Sequence, residues 1–172
     1  AAEVMSMSAH VGTHIDALCH IGERQDAAGG ISVDGEVRLF AGEGATVRAA
    51  DCANQDGQKH LSIAEMPPIV TRAVLVDVAG YMGVDVLPDA YSISADEIRS
   101  ALARQNTTIT PGTAVLIRTG FYNHLASGNR AYSDAIAGIG LETAQWLHRQ
   151  GMTLAGADNM TVEAVPPMDH RV

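Results

Sequence analysis

The chain has 172 residues, of which 47% are hydrophobic, and this composition predicts a single globular domain rather than a disordered polypeptide. Its net charge of −9, with Lys59 as its only lysine, argues against nucleic acid as a partner because no basic surface is available to neutralise phosphates. Neither of the two cysteines belongs to a Cys-x-x-Cys unit, which favours a reduced, cytoplasmic protein. No apolar run approaches the roughly 18 residues that span a bilayer, so we expect no membrane partner.

The first predicted feature along the chain is a cluster of side chains that bind metals. Three of the seven histidines and one carboxylate fall within residues 10–20, in the run His-Val-Gly-Thr-His-Ile-Asp-Ala-Leu-Cys-His. On a flat strand His10 and His14 would stand about 13 Å apart, which is too far for one metal ion. On a regular helix they would approach within about 6 Å, but Asp16 would then point to the opposite side.

A bend at Gly12 resolves this conflict, because glycine adopts positive φ without strain. Such a bend folds His10 back beside His14 and Asp16, while Ile15 anchors the reverse side of the segment in the core. Imidazole and carboxylate together favour zinc, manganese or iron over calcium and magnesium, which prefer shells of oxygen. The pattern therefore predicts a metal site on a loop, with a hydrogen-bonded structural cluster as the alternative.

The next stretch, residues 22–58, is punctuated by glycines. It predicts an irregular excursion with one hairpin at Asp34-Gly35. Long loops in compact domains are often functional, so the excursion is either a lid or subunit-contact arm, or a mobile surface loop.

Three apolar runs of strand length follow. They occupy residues 73–78, 114–117 and 153–156. Continuous apolar runs of this length predict strands that are covered on both faces. Asp158 lies two positions after the third run and is predicted to brace the backbone of its own turn, because short Asx side chains hydrogen-bond to neighbouring amides.

Two helices are predicted among these strands. Ser94 and Glu97 have the spacing of a capping box, which starts a helix between the first two strands. The apolar stripe of this helix consists of Ile98, Ala101 and Leu102. A second helix is predicted over residues 141–150, with Gly151 as its stop signal. The alternation of strands and helices predicts an α/β domain.

The run His-x-Gly-Thr-His-x-Asp-x-x-x-His resembles the signature of the cyclase superfamily of metal-dependent hydrolases, which includes kynurenine formamidases and isatin hydrolases. The matching positions are His10, Gly12, Thr13, His14, Asp16 and His20. The run Leu-Ile-Arg-Thr-Gly at residues 116–120 and the Gly-x-Asp segment at residues 156–158 are similar to the family as well. The likeness extends over residues 8–166.

This resemblance implies an α/β fold of the swivelling β/β/α type, in which a mixed sheet is flanked by helices. It implies hydrolysis of a carbon–nitrogen bond in a small amide, formamide, cyclic imide or lactam, through water activated by a divalent metal ion, Mn or Zn. His10, His14 and Asp16 would ligate the metal. His20 would be the catalytic acid/base, or alternatively a further ligand or a partner that orients Asp16.

The number of metal ions stays open. The family supplies a further His and a Glu or Gln after its Gly-x-Asp segment, and His170 is a candidate for that histidine. The chain stops at Val172, before such a carboxylate or amide can follow. We therefore expect one or two ions per site, and a single hydrolase domain over residues 1–172 that is truncated at one or both ends.

Other functions fit parts of the same pattern. The His14-x-Asp16 pair is also half of a facial triad, which would predict a non-haem iron oxygenase but would leave His10, Gly12 and Thr13 without a role. A non-catalytic metal-binding or assembly module is the third candidate.

The low aromatic content and the glycine-rich stretch predict a homo-oligomer, a dimer or tetramer, in which a neighbouring subunit contributes contacts to a small-molecule substrate. The substrate and the residues that bind it are unknown from the sequence.

Overall fold

A computed structural model describes residues 12–25, 36–42, 45–54, 57–129 and 131–165. Contacts divide the chain into two compact units, Ala1–Ile69 and Val70–Val172. We call them the N-terminal unit and the C-terminal unit. The expectation of one hydrolase domain over residues 1–172 stays a prediction.

Short strands make up most of the regular structure described in the N-terminal unit. The elements are β1 (Gly22–Gln25), β2 (Glu36–Gly42), β3 (Ala45–Arg48), α1 (Ala49–Cys52), β4 (Ala53–Asn54), β5 (Gly57–Gln58) and a 3₁₀ turn (Ile63–Glu65). Strands β1, β2 and β3 form an antiparallel sheet, and β4 pairs with β5. The side chains of Leu39 and Cys52 are buried.

Residues 22–58 are more regular than the sequence predicts. Strands β1 and β2 pair antiparallel, with Gly22 opposite Leu39. A Cβ at Gly22 would stand only 2.8 Å from the carbonyl oxygen of Arg38, so this glycine permits close contact within a sheet. The prediction of an irregular excursion is therefore wrong. The hairpin predicted at Asp34-Gly35 lies outside the described residues.

The C-terminal unit alternates strands and helices. Its strands are β6 (Ala73–Asp77), β7 (Ser92–Ile93), β8 (Ala114–Arg118), β9 (Gly138–Ile139) and β10 (Leu154–Ala157), and its helices are α2 (Val78–Met82), α3 (Ala95–Arg104), α4 (Tyr122–Ser127), α5 (Ala131–Asp134) and α6 (Leu141–Arg149). Strands β10, β8 and β6 form a parallel sheet in that order, and β7 pairs with β9. The three predicted strands and the two predicted helices are confirmed.

The three-stranded parallel sheet buries one of its faces. Its buried residues on β6 and β8 include Val74, Val76, Val115 and Ile117. Leu75 and Leu116 lie opposite each other on the other face, where they are 53% and 39% exposed. The prediction of strands covered on both faces is therefore wrong, because successive side chains alternate between a packed face and an open one.

The helix termini follow their sequence signals. The Ser94 hydroxyl accepts from the Glu97 N–H at 3.2 Å, and the Glu97 carboxylate accepts from the Ser94 N–H at 2.8 Å. This reciprocal pair is the predicted capping box of α3, whose apolar stripe is buried. Beyond α6, Gly151 has a φ of +74°, which explains the stop. Thr143 is buried in α6 and donates to the carbonyl of Ile93 at 2.8 Å, a contact that the sequence did not predict.

The chain is thus α/β, with sheets flanked by helices, as the sequence predicts. Within the described residues, parallel and antiparallel pairs belong to different sheets. Across those same ranges, no helix is long and apolar enough to cross a membrane.

Candidate functional site

The predicted metal-binding segment belongs to the N-terminal unit, and the structure describes it from Gly12 onward. Gly12 has a φ of +79°, and no atom lies within 4 Å of the place where a Cβ would stand. The predicted bend is therefore confirmed, and this glycine is required for its backbone conformation rather than for space. His10 lies outside the described residues, so its return beside His14 and Asp16 stays a prediction.

His14 and Asp16 present their polar atoms to each other. Nε2 of His14 lies 3.3 Å from Oδ1 of Asp16. Nδ1 of the same ring lies 2.9 Å from the carbonyl oxygen of Gly12. Because a carbonyl oxygen can only accept, this contact places the ring proton on Nδ1 and leaves the lone pair of a neutral ring on Nε2. That lone pair then faces a carboxylate, an arrangement that favours a cation shared by both atoms.

The pair fits a transition-metal ion. Two donors bound at about 2.1 Å in a tetrahedral shell stand roughly 3.4 Å apart, close to the 3.3 Å between His14 and Asp16. A hydrogen bond from the other ring nitrogen to a backbone carbonyl is the usual support of a ligating histidine. A protonated imidazole paired with the carboxylate would satisfy the same contact, and this is the structural alternative.

His20 lies on a tight turn that follows the pair. Its backbone N–H donates to the carbonyl of Ala17 at 2.9 Å. In the part of the chain that the structure describes, no three His, Cys, Asp or Glu side chains are close enough to hold one metal ion. The described segment therefore does not gather His20 with His14 and Asp16 as a third ligand. His170, the candidate for a further ligand, lies outside the described residues.

Ile15, between the two candidate ligands, is 40% exposed. All five residues of the range 12–16 are exposed. The prediction that Ile15 anchors the segment in the core is wrong, because this stretch does not alternate between a buried and an exposed side. Side chains on both sides of the backbone therefore face solvent.

A second polar cluster lies in the C-terminal unit, at the carboxyl ends of the parallel strands. Asp158 follows β10, and its carboxylate accepts hydrogen bonds from the Thr119 N–H at 2.6 Å, the Thr119 hydroxyl at 2.7 Å and the Gly120 N–H at 2.8 Å. Thr119 is fully buried, so these bonds satisfy donors that cannot reach water. Asp158 therefore does brace backbone amides, but the prediction that it braces its own turn is wrong, because the amides belong to the turn that follows the neighbouring strand β8.

An ion pair joins β6 and β8 at the same edge. Nη1 of Arg118 donates to Oδ1 of Asp77 at 2.7 Å, and that oxygen also accepts from the Gly80 N–H at 2.8 Å. Partial burial raises the pKa of Asp77, but the hydrogen bonds from Arg118 and Gly80 outweigh it and hold this pKa below its ordinary value. The contact with Asp77 in turn raises the pKa of Arg118.

The sequence did not predict this ion pair or the burial of Thr119. A signal was nevertheless available, because Asp77 is the penultimate residue of the first apolar run and Arg118 directly follows the second. The carboxyl ends of parallel strands meet at one edge of the sheet, so polar residues at these positions come close together.

Comparisons with known proteins support the family resemblance. The family model described as Cyclase matches residues 2–164. A solved structure described as a novel cyclase is 33% identical to this chain, with a TM-score of 0.50. The match covers 55% of this chain and 32% of the other, so the chain spans less than half of that relative's length. No curated protein matches the sequence significantly.

Proposed function

Because this chain belongs to the Cyclase family, we propose that it is a metal-dependent hydrolase that cleaves a carbon–nitrogen bond in a small amide, formamide, cyclic imide or lactam. Family membership supports a cyclase-type enzyme in general. The narrower proposal, hydrolysis of a carbon–nitrogen bond, rests on the histidine and aspartate residues of the motif at residues 10–20.

The observation that carries the proposal is the approach of His14 Nε2 to Asp16 Oδ1, at 3.3 Å. The carbonyl oxygen of Gly12 lies 2.9 Å from Nδ1, a contact that favours the neutral tautomer with its proton on Nδ1 and its lone pair on Nε2. One imidazole and one carboxylate with converging lone pairs are two of the ligands that a catalytic site needs. The resemblance of the motif to the family implies His10 as the third.

A bound divalent ion, Mn²⁺ or Zn²⁺, would lower the pKa of water and polarise the substrate carbonyl. His14 and Asp16 would contribute a fixed pair of donor atoms. Their side chains are 31% and 46% exposed, so a small substrate and water can reach the pair. Whether one ion or two bind depends on residues beyond this pair, among them His170.

His20 carries the proton transfers in this proposal. Imidazole changes its protonation state near neutral pH, so it can accept a proton from the attacking water. As the carbon–nitrogen bond breaks, the imidazolium returns that proton to the leaving nitrogen. The products are a carboxylic acid and an amine from an open-chain substrate. A lactam gives one molecule that carries both groups, and a cyclic imide gives one molecule that carries a carboxylic acid and an amide.

Elemental analysis of the purified protein, together with a substrate panel, tests the proposal. We expect about one or two Mn or Zn ions per chain and turnover of at least one of formanilide, succinimide and butyrolactam. A chelator should abolish this turnover, and added metal should restore it.

The same assay under anaerobic conditions separates the competing functions. A hydrolase needs neither oxygen nor a 2-oxoacid, so turnover should be unchanged. Dependence on oxygen and iron would contradict the proposal in favour of an oxygenase, and bound metal without turnover would favour a binding module.

A further inference from the structure

Strand β6 lies at one side of the parallel sheet in the part of the chain that the structure describes. The Ala114 N–H of β8 donates to the carbonyl of Arg72 at 2.9 Å, so the backbone groups of even-numbered residues face β8. Those of Ala73, Leu75 and Asp77 face the other way, because successive residues of a strand direct their backbone polar groups to opposite sides. We call this side the outer edge of β6.

The composition of β6 favours pairing with a further strand. Residues 73–76 read Ala-Val-Leu-Val, a short uncharged run that is rich in residues typical of strands. Leu75 adds a side chain that is 53% exposed on the open face of the same sheet. An edge strand of this kind is a template on which another extended strand pairs, unless its backbone groups are occupied.

The side chain of Gln105 occupies two of these backbone groups. Its Nε2 donates to the carbonyl of Leu75 at 2.7 Å, and its Oε1 accepts from the Asp77 N–H at 3.0 Å. One residue of a parallel neighbouring strand would make the same two bonds, with its N–H to residue 75 and its carbonyl to residue 77. The carboxamide of Gln105 thus takes the place of one strand residue at the outer edge.

The end of helix α3 holds Gln105 in this place. The Gln105 N–H donates to the carbonyl of Ala101 at 3.0 Å, and the next residue, Asn106, ends the helix with a φ of +51°. On the other side of Gln105, Nη1 of Arg104 donates to the carbonyl of Tyr81 at 3.1 Å. Tyr81 belongs to α2, which directly follows β6, so the end of α3 is fixed beside the outer edge.

We propose that Gln105 closes the outer edge of β6 against the addition of an extended strand, and that the strand it excludes is β6 of a second copy of this chain. A second copy carries the same apolar strand with the same outward backbone groups, and identical segments of this composition pair readily. The inference concerns assembly, so it does not depend on the proposed hydrolase function. The homo-oligomer that we expect would then form through other surfaces.

A fluorescent peptide with the sequence of residues 72–77 tests the inference. Gln105→Ala, made in the whole chain, frees two backbone groups, so this variant should bind the peptide at least about tenfold more tightly than the original protein. Fluorescence anisotropy measures both affinities. A control peptide with proline in place of its leucine lacks one N–H and should bind neither protein.

Self-association of the variant provides a second measurement. Gln105→Ala should form aggregates that scatter light and bind thioflavin T, under conditions in which the original protein stays dispersed. Adding Leu75→Lys should suppress these aggregates, because lysine on an edge strand opposes pairing. Adding Leu116→Lys is the matched control, since Leu116 lies opposite Leu75 on the same face but belongs to the central strand. It should leave the aggregation of Gln105→Ala unchanged.

Thr143→Val separates the open edge from lost stability. It removes the bond between the buried Thr143 hydroxyl and the Ile93 carbonyl, away from β6, and should lower the melting temperature at least as much as Gln105→Ala. It should nevertheless bind no more peptide than the original protein. If Gln105→Ala fails to fold, Gln105→Glu is the substitute, because an ionised carboxylate cannot donate to the Leu75 carbonyl and should also admit the peptide.

Equal affinity of the original protein and the Gln105 variant for the peptide would overturn the inference. Peptide binding by Thr143→Val that matches that of Gln105→Ala would overturn it too, because instability alone would then admit the strand. Suppression of the aggregates by Leu116→Lys as well as by Leu75→Lys would show association through the open face rather than the outer edge, and would have the same consequence. Failure of the hydrolase proposal would leave each of these measurements unaffected.

Discussion

At His14 the two ring nitrogens face different partners. The Gly12 carbonyl accepts from Nδ1 at 2.9 Å, and Nε2 faces Asp16. Gly12 thus supplies the carbonyl that contacts Nδ1, and its positive φ sets the bend in the chain immediately before it.

Histidine substitutions separate metal binding from proton transfer. His14→Ala should lose both the bound metal and the hydrolase activity, because it removes a ligand. His20→Ala should keep the metal and lose turnover by about 10² to 10⁴-fold, the usual contribution of a general acid/base. Metal analysis and steady-state kinetics on both purified variants provide the measurement.

His60→Ala is the control for this pair, because His60 is an exposed histidine of the same unit outside the motif. It should retain both metal and turnover. Unchanged metal content in His14→Ala would contradict the ligand assignment. Metal loss in His20→Ala would instead support its alternative role as a ligand.

Asp158 should matter for stability more than an ordinary surface carboxylate. Asp158→Ala leaves the donors of buried Thr119 without their acceptor, so the free energy of unfolding should fall by about 3 kcal/mol. Urea denaturation measures the change. Asp85→Ala, which alters an exposed aspartate of the same unit, should cost less than about 0.5 kcal/mol. Equal losses in both variants would contradict the bracing role.

At the scale of elements, the carboxyl ends of β6, β8 and β10 are tied together by polar side chains. Arg118 links β8 to β6 through Asp77, and Asp158 links β10 to the turn after β8. Each contact satisfies polar groups at a strand end, where no further ladder bonds are available. These links hold the edge of the sheet in a defined shape.

The link through Asp77 should make stability depend on pH in the acid range. The pKa of Asp77 is lower in the folded protein than in the unfolded chain, so the folded state binds fewer protons. The stabilisation is fully present above the unfolded carboxyl pKa of about 3.9 and is lost as the pH falls through the folded value. Asp77→Asn keeps a helix-capping side chain but loses the partly solvent-exposed ion pair, so it should lower the free energy of unfolding at pH 7 by only about 0.5 kcal/mol and flatten this acid dependence. Urea denaturation at pH 7 and below pH 4 checks both effects. If the free energy of unfolding of the variant falls with pH as steeply as that of the original protein, the link is contradicted.

The elements differ in how well local sequence predicts them. Helix α3 begins where Ser94 and Glu97 place a capping box, and its buried stripe follows the helical period. Residues 22–58 were harder to predict, because glycine within a paired strand and glycine in a loop look alike in sequence. Gly22 belongs to the first class, as the close carbonyl of Arg38 shows.

At the scale of the whole molecule, we expect a homo-oligomer, either a dimer or a tetramer. Large apolar side chains are exposed in both units, including Ile21 at 71% and Val70 at 94%. Exposed apolar surface of this kind is commonly covered by association. Size-exclusion chromatography with light scattering should give a mass two or four times that of one chain, and a fully active monomer would contradict the expectation.

The sequence by itself determined the α/β class, the three strands, the helices α3 and α6, the bend at Gly12 and the family motif. Each of these features depends on residues a few positions apart, so a local pattern is sufficient. Only the tertiary structure decided which polar groups meet. Asp158 and Thr119 are 39 positions apart, and Asp77 and Arg118 are 41 positions apart. Their contacts, like the exposure of one face of the parallel sheet, arise from strand order and packing, which no short stretch of sequence encodes.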